Sequence, residues 1–106
     1  MYLELSIARD FTPTPGVRRR EQGPNSAQEF AEEHLIPMYI KAKKQGVNLY
    51  LDLDGGSGYA SCFLDEAFSL LCRTLATKKV LKNMIIKSDE EPYLIEEIKE
   101  YIQHSF

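Results

Sequence analysis

The stretch from Val47 to Phe68 constrains this chain more than any other. Val47-Asn48-Leu49-Tyr50-Leu51-Asp52-Leu53 is rich in apolar and β-favouring residues and is ended by Asp54-Gly55-Gly56, the signature of a strand closed by a turn. From Ser61 the period changes. Leu64, Ala67, Phe68, Leu71, Cys72 and Leu75 recur at helical spacing, with Asp65, Glu66 and Arg73 outside that stripe. Ser61 stands where a helix N-cap is expected. A strand that turns through glycines into an amphipathic helix points to the centre of an α/β sheet.

The remaining elements fit that frame. Residues 2–8 alternate, with Leu3, Leu5 and Ile7 on one face, and predict a half-buried strand. Arg9 to Gly23, interrupted by Pro13, Pro15 and Gly16, reads as a loop with room for a short return strand near 16–20. Ser26 and Glu29 make a capping box for a helix carrying Phe30, Ala31, His34, Leu35, Met38 and Ala42. Pro37 lacks an N–H and predicts a kink, or a break at Ile36 followed by a second short helix; Gly46 is the expected C-cap. Lys82 to Lys87 suits a third parallel strand. Roughly residues 91–104 suit a last helix with Leu94, Ile95, Ile98, Tyr101 and Ile102 inward. The expectation is a single α/β domain over 1–106, with a mostly parallel or mixed sheet of about four strands and helices packed on it. Sites in such sheets form beyond the carboxyl ends of the strands, here at the loop 54–61.

Composition narrows the function classes. The 106 residues are 43% hydrophobic, enough for one core around one sheet, and the net charge of −3 disfavours nucleic acid or an anionic membrane unless a local patch carries it. Cys62 and Cys72 fall ten residues apart in one expected helix, about 15 Å along its axis, and cannot bridge each other there. With no apolar run long enough for a span and no signal-like segment, the chain reads as soluble and cytoplasmic.

The chemistry-bearing residues gather around the glycine turn. Asp54 to Ser61 leaves a strand and enters a helix, so its amides could hold an anion, but it lacks the lysine of a P-loop and the glycine spacing of a dinucleotide fingerprint. Glycines that simply permit a tight strand-to-helix turn are the preferred account. Asp52 and Asp54 share a strand face, while Asp65 and Glu66 diverge by about 100° on a helix, so the four make no complete metal or acid–base set. His34 and His104 have no neighbour at metal spacing. Nothing specifies a Cys62–His nucleophile pair, and buried thiols are usually inert packing. Arg18, Arg19 and Arg20 are the one basic run and could supply countercharge to an anion, or be a solvated edge. Ser61 reads as an N-cap or as a phosphoacceptor at an exposed turn. No cofactor or metal is implied.

Leu51-Asp52-Leu53-Asp54, then Gly58-Tyr59-Ala60-Ser61-Cys62-Phe63-Leu64-Asp65-Glu66-Ala67-Phe68, together with Pro15-Gly16-Val17-Arg18 and Gly23-Pro24-Asn25-Ser26, resemble the bacterial STAS-like domains of unknown function, related to the anti-sigma factor antagonist fold. The resemblance implies a STAS-like domain whose relatives accompany histidine-kinase-like ATP-binding proteins. In anti-sigma factor antagonists the corresponding turn carries Asp-Ser-Ser-Gly, whose second serine is phosphorylated. Here those positions are Ala60, Ser61, Cys62 and Phe63, so the acceptor falls on Cys62 and Ser61 alone keeps a hydroxyl. What the resemblance implies is therefore a non-catalytic regulatory module that binds a protein partner, a histidine-kinase-like ATPase, through Asp54, Gly58, Tyr59, Ser61, Asp65 and Glu66, with phosphorylation at Ser61 as an extension. The alternatives are a small-ligand or nucleotide-binding domain using Arg18 to Arg20, and a defence or DNA-linked accessory protein.

Overall fold

The computed structural model describes residues 1–59 and 61–105, with the side chain of Ser61 outside the description. Three strands, β1 (Tyr2–Ser6), β2 (Asn48–Asp52) and β3 (Met84–Lys87), form a parallel sheet in the order β1-β2-β3. The Val47–Leu53 run supplies the central strand, as its composition predicts. The helical elements are α1 (Ala27–Phe30), α2 (Ile36–Gln45), α3 (Ser61–Leu75) and α4 (Leu94–Gln103). Crossovers that step the same way with the same hand put their helices on one face, and α1, α3 and α4 are in contact accordingly.

Register explains which side chains build the core. Leu3, Leu49 and Met84 are paired in one row, and Leu5, Leu51 and Ile86 in the next, all turned to the helices. The intervening rows, Glu4-Tyr50-Ile85 and Ser6-Asp52-Lys87, lie on the opposite face, where Tyr2 stacks on Tyr50 with ring centroids 4.9 Å apart. From α3, Phe63, Leu64, Ala67, Phe68, Leu71 and Cys72 are fully buried, and α4 adds Leu94, Ile98 and Ile102. Each of the buried Leu, Ile and Phe side chains contributes about 1.5–3 kcal/mol on leaving water. No helix of the described residues is long and apolar enough to cross a membrane.

Five expectations need correction. The strand at residues 2–8 ends at Ser6, and Ile7–Phe11 close into a π-helical turn because Ser6 Oγ accepts the Arg9 N–H at 3.1 Å. The sheet has three strands among the described residues rather than about four. The segment near 16–20 is loop leading into a 3-10 turn at Arg20–Gln22, its Val17 and Arg18 carbonyls used by the amides of Ala27 and Gln28. Pro37 does not break the chain at Ile36. A π-turn over Ala31–Leu35, with the Ile36 N–H donating to the Ala31 carbonyl, widens the helix just before the proline and keeps α1 and α2 one continuous path. The last helix begins at Leu94, later than the sequence suggests, after a turn through Ser88–Tyr93. The caps are as expected: Ser26 Oγ accepts from the Glu29 N–H at 3.0 Å, and Gly46, at φ 69°, closes α2 with Gly46 and Val47 donating to the Lys43 and Ala42 carbonyls.

A candidate docking site at the carboxyl ends of the strands

Beyond the carboxyl ends of the strands, the loop after β2 is held from both sides. Asp54 organises it. Its carboxylate accepts from Lys87 Nζ at 2.8 Å, from the Asp89 amide at 3.0 Å and from the Glu90 amide at 2.9 Å, so one side chain fixes the turn after β3. The Lys87 hydrogen bond, with the Glu90 amide next, holds the Asp54 carboxyl below the usual carboxylate range, and the same bond raises the Lys87 ammonium above its usual value. Glu90 returns the contact, accepting the Gly55 amide at 2.9 Å, and Asp52 Oδ1 accepts the Asp54 amide at 2.9 Å.

The other wall is the segment after β1. Ser57 donates its amide to the Pro13 carbonyl at 2.9 Å and its hydroxyl to the same oxygen at 3.3 Å. Gly56 is needed there, because a Cβ would stand 2.9 Å from the Pro13 oxygen, inside van der Waals contact with backbone. Gly58, at φ 114°, takes a conformation that side chains rarely adopt. Tyr59 is half-buried, its hydroxyl donating to the Leu53 carbonyl at 2.8 Å. Burial, with Asp52 and Asp54 nearby, pushes its phenol well above the usual value. Its ring leans on Phe63, which packs in turn with Phe11 and Phe30, while His34 lies against Phe11 and Phe30. This aromatic floor spans three segments and has no local sequence signature.

The start of α3 departs most from expectation. Glu66, expected on a solvated face, is 6% exposed. It is balanced by two guanidiniums, Arg18 Nη1 at 3.2 Å and Arg73 Nη2 at 3.7 Å, and Arg18 also reaches Asp65 at 3.4 Å. A buried carboxylate requires such pairing. Asp65 stays partly exposed and accepts from Ser69 Oγ at 3.2 Å. Arg20 pairs with Glu32 and Glu33 at 3.2 and 2.9 Å, so Arg18 and Arg20 are engaged by carboxylates of the chain itself, whereas Arg19 is exposed with its amide on Gln22 Oε1. The expected anion-binding trio is thus split among three environments.

Ser61 is the first residue of α3, and Ala60 and the Ser61 hydroxyl, on which the N-cap and phosphoacceptor readings turn, lie outside the described residues. Cys62 is half-buried. Cys72 is buried, which pushes its thiol up and suits packing rather than reaction. Among the described residues no group of three or more His, Cys, Asp or Glu is placed to hold a metal, and every buried side-chain nitrogen or oxygen has a hydrogen-bond partner.

A parallel βαβαβα sheet with its organised loops at the carboxyl ends of the strands defines an α/β domain with one prepared surface. Residues 26–94, from the N-cap of α1 to the first residue of α4, match the family model of the STAS-like domain of unknown function (DUF4325), and the chain belongs to that family. No curated protein and no solved structure gave a significant match.

Proposed function

We propose that the domain is a non-catalytic regulatory module that recognises a protein partner with the loop 54–59 and the first turns of α3. The observation that carries this reading is the bracing of the loop: Ser57 to Pro13 on one side, Gly55 and Asp54 to the Glu90 turn on the other. Groups that could do chemistry are instead spent on shape. A pre-formed surface loses little freedom on binding, which is what favours recognition by shape. Ser57, Gly55 and part of Asp65 are presented outward, while Asp54, Tyr59 and Glu66 hold that surface from beneath. The last three act as positioning residues.

The partner class comes from the family resemblance, a histidine-kinase-like ATPase. A regulatory phosphate on Ser61 is an extension of the same reading. The small-ligand alternative draws less support, because the Gly55 and Ser57 amides and the Arg18 and Arg20 guanidiniums already have partners within the chain. The test is calorimetric titration of the full chain with a purified histidine-kinase-like ATPase from the same genome. Ser57→Arg keeps the amide bond to the Pro13 carbonyl and loses only the 3.3 Å hydroxyl bond, and is expected to weaken binding by more than about tenfold with a small loss in melting temperature. Equal affinity for the variant, or no binding by the unaltered chain, would overturn the proposal. Phosphoserine at residue 61 after incubation with that protein and ATP, read by mass spectrometry, tests the extension.

A further inference from the structure

The two edges of the sheet are finished differently. Leu53 donates its amide to the Lys87 carbonyl at 2.8 Å, and Asp52 is the register partner of Lys87, so the backbone groups of Lys87 point to β2. Alternation along a parallel strand then turns Ile85 to β2 as well, and Met84 and Ile86 outward. The Met84 amide is bonded to the Leu81 carbonyl, whereas the outward Ile86 N–H and C=O have no partner among the described residues. The same alternation, carried through β2, turns Glu4 and Ser6 of β1 outward at the other edge. There the Asp10 carboxylate accepts the Ser6 amide at 2.9 Å and Arg9 reaches Glu4 at 3.9 Å. Charged side chains on an edge discourage further pairing. β3, Met84-Ile85-Ile86-Lys87, has no such guard: its one charge is bound to Asp54, and Ile85 is 42% exposed.

This edge is complementary to itself. In an antiparallel pair with a two-fold axis at Ile86, the two Ile86 residues exchange N–H···O bonds, which uses both free groups at once. Lys87 then stands across from Ile85 of the second copy, so its methylene stem covers the exposed isoleucine and no two ammonium groups oppose each other. Continued past the strand, that register brings the exposed Lys82 toward the exposed Glu90 of the other copy, twice over by symmetry. A two-fold at Ile85 would instead need the Met84 amide that Leu81 already holds. On β1 a two-fold at Glu4 would set carboxylate against carboxylate.

We propose that β3 pairs with β3 of a second copy of this chain in an antiparallel two-fold dimer, making one continuous sheet across the two copies. A four-residue edge buries little area, so the dimer is weak and concentration-dependent. The proposal goes beyond the docking loop and does not depend on it.

The experiment is sedimentation velocity of the full chain between about 1 μM and about 1 mM, with exchange of the Ile86 amide followed alongside. A mass rising toward twice 12.2 kDa is expected, the Ile86 amide slowing as the dimer forms. Ile85→Lys, at an exposed position, sets like charges together at two symmetric places. It should weaken dimerisation about tenfold or more and leave the melting temperature of the monomer nearly unchanged. Ile86→Pro removes an outward N–H that the chain's own ladder does not use, and should leave folded monomer only. A chain that is monomeric throughout, or a dimer as tight in Ile85→Lys as in the unaltered chain, would overturn the proposal. So would a dimer whose Ile86 amide exchanges as fast as in the monomer.

Discussion

The two ends of the sheet handle charge in opposite ways. At the carboxyl ends of the strands, carboxylates and cations are interleaved and bonded to one another: Asp54 with Lys87, Glu66 with Arg18 and Arg73. At the amino ends, lysines stand exposed with few carboxylates among them. The first arrangement spends its polar groups on geometry, whereas in the second Lys41, Lys43, Lys44, Lys79 and Lys82 are exposed and Lys78 donates to the Gln103 carbonyl at 2.7 Å. The contrast implies that substitutions of the bonded charges at the carboxyl end cost stability, whereas those of exposed lysines such as Lys44 at the amino end leave it nearly unchanged.

The comparison can be broken most forcefully at the aromatic floor. Phe63→Ala removes a fully buried ring that supports Tyr59, Phe11 and Phe30, and is expected to cost about 3–5 kcal/mol in urea unfolding. Asp54→Ala deprives two amides and Lys87 of their acceptor and should cost about 2–3 kcal/mol. Its pH dependence sharpens the point. Because the folded carboxyl titrates lower than the unfolded one, its stabilisation is complete above the unfolded value of about 3.9 and is lost as pH falls through the depressed folded value. In Asp54→Asn, melting temperatures below about pH 4 should therefore fall less steeply than in the unaltered chain.

Smaller effects are expected at the rim. Arg18→Ala leaves the buried Glu66 with Arg73 alone, but Arg18 is 37% exposed at its side chain and screened, so about 1–2 kcal/mol is expected by chemical denaturation. Gly56→Ala pushes a Cβ against the Pro13 carbonyl and should cost about 1–3 kcal/mol. At the other end, Lys44→Gln should lie within about 0.5 kcal/mol of the unaltered chain. A destabilisation there as large as that of Arg18→Ala would erase the distinction between the two ends.

Much of the fold is legible in the sequence because it rests on local signals. The Leu49, Leu51, Leu53 alternation, the Phe68-Leu71-Cys72 stripe, Ser26 and Gly46 each announce their element within a few residues. The braced turn at the carboxyl ends of the strands is legible too, since the glycines follow the most apolar strand. Its working parts are not. Glu66 is separated by 48 residues from the Arg18 that lets it be buried, and on the helical period alone it falls outside the apolar stripe. Asp54 looks like a turn aspartate until Lys87 and the Glu90 amide arrive from the next crossover. Pro37 announces trouble in a helix, but nothing in its own neighbourhood says that the helix widens into a π-turn over Ala31–Leu35 rather than breaking. The additional strand expected near residues 16–20 fails because Val17 and Arg18 give their carbonyls to the start of α1.

The bracing of the loop proposed for docking is tested most directly by native-state amide hydrogen exchange of the free chain, followed residue by residue. The Gly55, Ser57, Asp89 and Glu90 amides, bonded to Glu90, Pro13 and Asp54, are expected to exchange slowly, and Asp54→Asn to release the Asp89 and Glu90 amides ahead of the Leu49 and Leu51 amides in the core strand. Exchange of those four amides at the rate of an open chain, in the unaltered protein, would contradict a pre-formed docking surface.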